Sequence, residues 1–162
     1  MSYTIRPIAD KDHETVATQI RNEWTTTRLG YIDHIIESHG LPGFVAEIDG
    51  KFVGALTWRI YENCLQVVTV ISDKEGLGIG SALLKEAEEE AKRQGIPRVL
   101  ISTENSYIDA LSFYQKRGYL LHRVHINVMG YLNGIRGWSA IPKIDTNGIP
   151  IRDQIDLIKK VA

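Results

Sequence analysis

The stretch ISDKEGLGIGSALL, residues 71–84, places glycines at three alternate positions, Gly76, Gly78 and Gly80, between an apolar run and a helix-like pattern. Glycine loses more backbone entropy on ordering than any other residue, so this spacing indicates a local requirement. A glycine-rich turn from a strand into a helix presents unpaired amides at the helix start, where the helix dipole also favours an anion. The stretch therefore predicts a phosphate-binding turn, although glycines alone are equally typical of a tight turn without a ligand.

Two common phosphate motifs do not fit this stretch. The dinucleotide fingerprint needs a third glycine, but Ser81 stands at that position counted from Gly76, and Leu83 stands there counted from Gly78. The P-loop needs Gly-Lys-Ser/Thr, whereas the chain has Ser-Ala at residues 81–82 after the glycines. A mononucleotide or dinucleotide site of either kind is therefore not predicted.

The segments on both sides of the glycines predict strands and helices in a mixed order. Upstream, residues 44–48, 52–60 and 65–71 read as strands joined by short turns at Asp49-Gly50 and Glu62-Asn63, which predicts an antiparallel meander. Downstream, an apolar residue recurs every four positions and predicts an amphipathic helix, and a strand follows it. The apolar positions are Ile79, Leu83, Ala87 and Ala91, and the strand covers residues 99–102. These elements form a βαβ unit, whose two strands we expect to be parallel.

Together with the elements described below, these segments predict a single domain over residues 1–162. The fold class is α/β (α+β), with a mixed, mostly antiparallel central sheet that is flanked by helices. Three further helices and three further strands are predicted, and the last segment is either a strand or a short helix. The helices contain Val16 to Trp24 with Asp10 as N-cap, Ile32 to Ile36 closed by Gly40, and Ala110 to Tyr114 capped by Asn105 or Ser106; the strands cover 3–8, 119–128 and 151–161.

Composition excludes several classes of protein. The net charge is −1, so no general attraction to nucleic acid is expected. Cys64 is the only cysteine, which rules out an internal disulfide, fits a reducing compartment and predicts a buried apolar residue. The sequence has no signal-peptide pattern and no apolar window of membrane-spanning length. We therefore expect a cytoplasmic protein that does not bind a membrane.

Two blocks carry a resemblance to a known family. VISDKEGLGIGSALL, residues 70–84, resembles the acetyl-CoA signature of the GNAT superfamily of N-acetyltransferases, which reads Arg or Gln, two residues, Gly, one residue, Gly or Ala. NSYIDALSFYQKRGY, residues 105–119, is similar to a second block of the same family. The blocks stand in the family's order, and the likeness covers about residues 3–128. The paired glycines of the signature correspond to Gly78 and Gly80.

The resemblance implies the acetyl-CoA contacts. Backbone groups on the strand before the turn would bind the pantetheine arm and polarise the thioester, and the turn itself would bind the diphosphate. The residues are Val68, Thr69 and Val70 on the strand, Glu75, Gly76, Leu77, Gly78, Ile79, Gly80 and Ser81 in the turn, and Asn105 beyond the next strand. Glu75 occupies a position that is usually Arg or Gln. A Glu75 carboxylate ~5 Å from a phosphate charge would repel it by about 3 kcal/mol at an effective dielectric constant near 20. Solvent exposure of the carboxylate and dissolved salt would reduce this repulsion.

The same resemblance implies the chemistry. Tyr114 matches the position of the usual general acid, which assists departure of the CoA thiolate. A tyrosine pKa of ~10 lies above the ~8.5 of an alkyl thiol, so a hydrogen bond suits this role better than full proton transfer. The alternative is a core tyrosine whose hydroxyl is satisfied elsewhere. Glu104 and Glu62 are candidate bases for the amine, against the alternative that both are surface carboxylates.

The acceptor side is less specified. We expect the amine near residues 24–43 and 61–62, where aromatic side chains line a pocket or belong to the core. The aromatic residues considered are Trp24, Tyr31, Trp58 and Trp138. His34, His39, His122 and His125 show no metal spacing, and His122 and His125, three apart on a strand, should face opposite sides. No metal is predicted, and these histidines are interpreted as structural or surface residues.

The predicted function is direct transfer of acetyl from acetyl-CoA to a primary amine, either a small molecule or a peptide. The Glu75 departure supports one alternative, a non-catalytic CoA-binding or protein-interaction module of the same fold. A longer acyl group is a further alternative. The expected assembly is a monomer or a homodimer.

Overall fold

A computed structural model describes residues 2–135 and 142–162, which form nine strands and four α-helices. In chain order these are β1 (Thr4–Pro7), α1 (His13–Trp24), β2 (Arg28–Tyr31), β3 (His34–Glu37), β4 (Gly43–Ile48), β5 (Lys51–Tyr61), β6 (Cys64–Ser72), α2 (Ile79–Arg93), β7 (Arg98–Glu104), α3 (Ile108–Gln115), β8 (Leu120–His125), α4 (Val128–Asn133) and β9 (Gln154–Lys160). The protein is a mixed α/β fold whose strands pair mostly antiparallel, as predicted.

The chain divides into two compact units. Unit 1 contains the residues up to 27, residues 38–99 and the last residues from 160, and unit 2 contains residues 28–37 and 100–159. In unit 1 the strands lie in the order β1-β4-β5-β6, and each neighbouring pair is antiparallel. This arrangement confirms the predicted meander of β4, β5 and β6.

Three of the four turn residues of the meander, Asp49, Gly50 and Asn63, are of types that favour the observed geometry. Asp49 and Gly50 have φ values of 49° and 73°, and Glu62 and Asn63 have φ values of 45° and 59°. Positive φ at both central residues is the property of the two-residue hairpin turn that matches strand twist. The four residues therefore fix the register of β5 against both of its neighbours.

Two helices cover opposite faces of the unit 1 sheet. Ala55 packs in one buried cluster with Val16 and Ile20 of α1. The adjacent residue Gly54 faces α2, because a Cβ there would lie 3.0 Å from Cγ2 of Ile79 and 2.7 Å from the carbonyl oxygen of Ile71. Since consecutive strand residues point to opposite faces, α1 and α2 lie on different sides of β5. Glycine at position 54 permits the close approach of α2.

Unit 2 contains two sets of hydrogen-bonded strands. One has the order β7-β9-β8, with β8 and β9 antiparallel, so the final segment is the strand of the two predicted alternatives. The other is the antiparallel pair β2 and β3. A small apolar cluster of Val128, Met129 and Leu132 on the short helix α4 packs against Ile151.

The prediction of a second helix over Ile32 to Ile36 was wrong. Residues 28–37 form the β2–β3 hairpin, whose turn holds Ile32 at a φ of 52°. The Gln154 side chain accepts a hydrogen bond from the Ile32 N–H and donates one to the Gly30 carbonyl oxygen, both at 2.9 Å. These contacts within unit 2 stabilise a turn that the helical spacing of the isoleucines did not predict.

The predicted N-caps also differ from the structure. A 3-10 turn occupies Asp10–Asp12, and α1 begins at His13 after Asp12. The Asp12 carboxylate accepts the Ala9 N–H at 2.7 Å, so the capping contact of this region belongs to Asp12 rather than Asp10. At α3 the N-cap is Tyr107, instead of Asn105 or Ser106.

Two predictions about single features can be compared directly with the described residues. Cys64 is 4% exposed at the start of β6, which confirms a buried position. No helix within residues 2–135 and 142–162 combines the length and the apolar character that a bilayer crossing needs.

Candidate active site

The glycine turn of unit 1 leads from β6 into α2. Gly76 and Gly78 have φ values of 79° and 74°, which only glycine adopts without strain. A Cβ on either residue would meet no described atom within 4 Å, so the backbone conformation, and not packing, requires glycine. The open space beside both residues leaves room for a ligand.

The start of α2 supplies amide donors to that space. Gly78 is the N-cap, and the first helical hydrogen bond runs from the Ala82 N–H to the Gly78 carbonyl oxygen at 3.0 Å. The amides of residues 79–81, including Gly80 in the first turn, therefore precede the helical ladder. Fifteen residues of helix align their dipole behind these amides. This geometry fits an anionic group such as a diphosphate.

The charged residues before the turn are exposed. Lys74 and Glu75 both lie at the surface, whereas Leu77 is half-buried and Ile79 is 1% exposed. The Ser72 hydroxyl donates to the Lys74 carbonyl oxygen at 3.2 Å and holds the entry to the turn. Glu75 is therefore free to extend into solvent, which weakens its repulsion of a bound anion.

The predicted pantetheine residues lie at an irregularity of β6. Thr57 of β5 pairs with Thr69, whereas Trp58 pairs with Val67, so Val68 is the extra residue of a β-bulge. A bulge interrupts the ladder and leaves the extra residue without its regular partner. Val68 and Val70 are half-buried, and Thr69 is 2% exposed. The irregularity thus falls within the three residues proposed for backbone contacts.

Asn105 of unit 2 binds the loop that precedes β9. Its Oδ1 accepts the N–H groups of Arg152 and Asp153, each at 3.0 Å, and its Nδ2 donates to the Pro150 carbonyl oxygen at 2.9 Å. The side chain therefore fixes residues 150–153. The NH₂ group has two hydrogens, and the second has no acceptor within residues 2–135 and 142–162.

Tyr114 is a largely buried tyrosine whose hydroxyl has no hydrogen-bond partner among the described residues. Its ring contacts Phe113 and Tyr119 edge-on, at centroid distances of 5.5 and 6.1 Å. Burial, with a smaller contribution from Tyr107, raises the pKa of Tyr114 to about 12. Among the described residues the hydroxyl has no hydrogen-bond partner, in contrast to the alternative of a satisfied core tyrosine. Tyr114 is therefore a neutral donor whose hydroxyl has no acceptor among the residues that the structure describes.

Glu104 lines a cavity of about 390 Å³ in unit 2. Burial raises the pKa of Glu104, and the nearby charge of Asp145 raises it further. The cavity also contains Asp109, and the described residues that line it include no lysine or arginine. Such a cavity favours a cationic or protonated group, and a carboxylate with a raised pKa is a better proton acceptor near neutral pH.

The remaining predicted residues are divided between the two units. Glu62 is exposed in the β5–β6 turn of unit 1, and Trp24 packs against the buried cluster around Val16 rather than lining a pocket. Trp58 is half-buried in β5, and Tyr31 of unit 2 is 3% exposed. Trp138 lies outside the described residues.

A buried polar cluster in unit 2 was not predicted from the sequence. Asp156 of β9, 1% exposed, accepts hydrogen bonds from the Tyr31 hydroxyl at 3.1 Å and from Ser102 Oγ. His125 Nε2 lies 2.7 Å from the same carboxylate. The one signal in the sequence is an acidic residue inside a strand, between Ile155 and Leu157. Buried carboxylates need partners, but the sequence does not identify them.

A family comparison gives these residues a context. The model of the acetyltransferase (GNAT) family matches residues 5–119, which include the β6 bulge, the glycine turn and Tyr114. The chain belongs to the GNAT acetyltransferase family. The family supports acetyl transfer as the general activity of the protein. The matched residues 5–119 contain both blocks on which the resemblance was based, residues 70–84 and 105–119. The predicted membership of the GNAT superfamily is therefore confirmed.

Individual proteins are similar to this chain over nearly its whole length. The uncharacterized protein YxbD of Bacillus subtilis strain 168 is 31% identical over 158 residues, covering 97% of this chain and 98% of YxbD. An N-acetyltransferase from Staphylococcus aureus Mu50 has the same fold, with a TM-score of 0.71, 17% identity and complete coverage of both chains. A GNAT family acetyltransferase from Elizabethkingia anophelis, solved with acetyl-CoA bound, has a TM-score of 0.66, 20% identity and coverage of 98% and 97%.

Proposed function

We propose that the protein is an acetyl-CoA-dependent N-acetyltransferase that transfers acetyl directly to a primary amine, as one domain over residues 1–162. The observation that carries the proposal is the glycine turn, whose positive φ values at Gly76 and Gly78 leave the first amides of α2 beside open space. The S. aureus and E. anophelis proteins share this fold, and the latter was solved with acetyl-CoA.

Three groups of residues would bind acetyl-CoA, which supplies an activated acetyl thioester. The amides between Glu75 and Ser81 would hold the diphosphate, with Gly78 at the centre. The backbone of Val68, Thr69 and Val70 would bind the pantetheine arm, because the bulge removes regular pairing there. The remaining amide hydrogen of Asn105 would add a contact. Glu75 in solvent reduces the affinity only modestly.

Tyr114 would stabilise the departing thiolate by donating a hydrogen bond. A pKa of about 12 makes complete proton transfer to a thiolate unfavourable, since an alkyl thiol has a pKa near 8.5. A neutral hydroxyl that has no described partner is well suited to donate to developing negative charge. The role of Tyr114 is thus electrostatic.

The acceptor is a small-molecule or peptide amine. The cavity around Glu104, where Asp109 and Asp145 are the charged neighbours among the described residues, supports binding of a protonated amine in unit 2. Glu104 and Glu62 are the carboxylates proposed to assist its deprotonation. The assembly is proposed to be a monomer or a homodimer.

The proposal is tested by calorimetry with acetyl-CoA and by thiol release with alkylamines, a polyamine, an aminoglycoside and a peptide with a free N-terminus. We expect binding at micromolar ligand and thiol release with at least one amine. Gly78→Ala should weaken binding, whereas Gly148→Ala, which also has a positive φ and open space around it, should not. No binding at millimolar acetyl-CoA would reject the proposal.

A second candidate, a non-catalytic CoA-binding or protein-interaction module, is favoured by the exposed acidic Glu75 at a position where the family usually has Arg or Gln. Acetyl-CoA binding without thiol release from any amine of the panel would support this candidate. Thiol release with any one of them would eliminate it.

A further inference from the structure

The cavity beside Glu104 contains a second polar group, the hydroxyl of Ser106. Ser106 is 2% exposed and belongs to the lining. Among the described residues its Oγ makes no hydrogen bond, and neither does the Glu104 carboxylate. Fully enclosed polar side-chain atoms in this part of the chain all have partners, so the Ser106 Oγ faces space that a ligand can reach. A carboxylate and a hydroxyl two residues apart are thus both available in this cavity.

The other two carboxylates at the cavity are less suited to hold a ligand. Asp145 Oδ1 accepts the N–H groups of Asn147 and Ile149, at 2.9 and 2.8 Å, so this carboxylate stabilises its own turn. Asp109 is exposed in the first turn of α3. Glu104 is half-buried, and its burial and the charge of Asp145 both disfavour its ionised form. A cation beside Glu104 would offset both effects.

Apolar side chains form much of the remaining described lining. Tyr107, Ile108 and Ile144 are 52%, 51% and 58% exposed, and Pro142 and Ile151 lie at the same cavity. Large apolar side chains that stay exposed around a concave site are typical of a binding surface. The volume of about 390 Å³ lies within the range of small-molecule sites, about 300–1,000 Å³. The cavity therefore fits a small ligand with one polar end and an apolar body.

Hydrogen bonds within unit 2 hold this lining in place. Asn105, between Glu104 and Ser106, binds residues 150–153 through its side chain and its backbone N–H. Two further backbone hydrogen bonds, of 2.9 and 3.0 Å, close the segment 143–151. The polar and the apolar parts of the lining are thus connected, and a ligand would meet a pre-formed site at a low cost in entropy.

We propose that this cavity of unit 2 binds a primary ammonium ion that carries one compact apolar group. Glu104 is the charge partner of the ammonium, and Ser106 Oγ accepts one of its three hydrogens. The inference deepens the proposed function by narrowing the amine acceptor to apolar monoamines, and the acceptor role rests on that function. A second cationic group, as in a polyamine, would lie against apolar side chains and lose its hydration without gaining a partner.

The test titrates the complete chain with 3-methylbutylamine at pH 7.5, without acetyl-CoA, and follows the backbone amides by NMR. We expect saturable shifts at Ser106, Ile108 and Ile144. Ethylamine has the same charge and three fewer carbons, and it should bind at least tenfold more weakly. The uncharged 3-methyl-1-butanol has nearly the same shape and should also bind at least tenfold more weakly. Equal affinity for 3-methylbutylamine and either of these ligands would overturn the inference.

Variants of the two polar residues separate charge from shape. Glu104→Gln should weaken binding of 3-methylbutylamine at least tenfold and leave binding of 3-methyl-1-butanol within twofold, because only the charge changes. Ser106→Ala should weaken binding of the amine about threefold to tenfold. Glu23→Gln, at an exposed carboxylate of unit 1, is the control and should follow the wild type. A loss below threefold for Glu104→Gln, or an equal loss for amine and alcohol, would contradict the proposed site.

Turnover distinguishes this inference from the proposed function. At saturating acetyl-CoA, kcat/KM should be at least tenfold higher for 3-methylbutylamine than for the polyamine of the panel. Thiol release that favours the polyamine would overturn the inference and leave the proposed function intact. Absence of acetyl-CoA binding would reject the proposed function and the acceptor role, whereas the titration without acetyl-CoA still decides whether the cavity binds the amine.

Discussion

The hydroxyl oxygens of Thr57 and Thr69 lie 2.6 Å apart, next to the bulge at Val68. Both residues are almost fully buried, with exposures of 1% and 2%. The pair therefore satisfies two buried hydroxyls at the point where the register of β5 and β6 shifts. Because Val68 and Val70 flank this pair, its geometry also supports the strand that we propose for the pantetheine arm.

Replacing one of these threonines should destabilise the protein more than replacing both. Thr69→Val leaves the Thr57 hydroxyl buried without its partner, which costs about 1–3 kcal/mol of unfolding free energy, and Thr57→Val has the same effect in reverse. The double variant removes both polar groups with nearly unchanged shape and should be less destabilised than either single variant. Urea denaturation of all four proteins gives the coupling free energy.

Additive single effects would show that the two hydroxyls do not stabilise each other. Thr18→Val, at an exposed helical site in unit 1, controls for the loss of a hydroxyl. Its expected change in unfolding free energy is within about 0.5 kcal/mol.

Changing Glu75 to arginine should strengthen acetyl-CoA binding. The substitution replaces an exposed negative charge near the glycine turn by a positive one, and calorimetry should show a several-fold lower Kd at low salt. Screening should reduce the gain at 0.5 M salt. Glu23→Arg, an equal charge change at an exposed site on α1, is the control for net charge. An equal gain for both variants would mean that only net charge matters.

Tyr114→Phe should lower kcat by roughly tenfold to hundredfold and leave the Kd of acetyl-CoA within about twofold. The substitution removes only the hydroxyl, while the ring contacts with Phe113 and Tyr119 remain. Tyr131→Phe, at a side chain that is 60% exposed on α4, is the matched control. Stopped-flow measurement of thiol release under single-turnover conditions separates the chemical step from binding. Unchanged turnover would remove Tyr114 from the mechanism without affecting the family assignment.

The local turn chemistry of the meander was readable from the sequence, and the β2–β3 hairpin was not. Asp49, Gly50 and Asn63 adopt positive φ values that these residue types tolerate, so local preference and structure agree at these positions. Ile32 instead adopts a φ of 52°, which is unfavourable for a β-branched residue. The Gln154 side chain, 122 residues away in sequence, binds the Ile32 N–H and compensates. No local pattern reports such a contact.

In the candidate site, too, residues within one continuous stretch could be predicted, whereas residues joined by long-range contacts could not. The glycine turn and Tyr114 lie within continuous blocks, so spacing identifies them. The His125–Asp156 pair joins positions 31 residues apart, and Tyr31 is 125 residues from Asp156. The expectation that His122 and His125 face opposite sides also assumed regular alternation. In the structure Leu121 pairs with Leu157 and Arg123 pairs with Asp156, so His122 is an extra residue and the alternation does not hold.

The stability of unit 1 should depend on pH through Asp12. Arg6 donates to Asp12 Oδ2 at 2.6 Å and also binds Glu47 at 2.8 Å, and the hydrogen bond from Arg6 lowers the pKa of Asp12 to about 2. In the unfolded chain this pKa is near 3.9. The native carboxylate therefore contributes stability above pH 4, and this contribution is lost as the pH falls from about 4 to 2.

Asp12→Asn should remove that pH dependence. We expect the wild type to be more stable than Asp12→Asn by about 1 kcal/mol at pH 7, allowing for solvent screening of the partly exposed Arg6, and the two to converge near pH 2. Asp10→Asn, a nearby exposed carboxylate outside this ion pair, should retain the wild-type dependence. Urea midpoints measured from pH 2 to 7 test both expectations. Parallel curves for the wild type and Asp12→Asn would show that the Arg6–Asp12 pair has no net effect on folding, because desolvation then cancels the attraction.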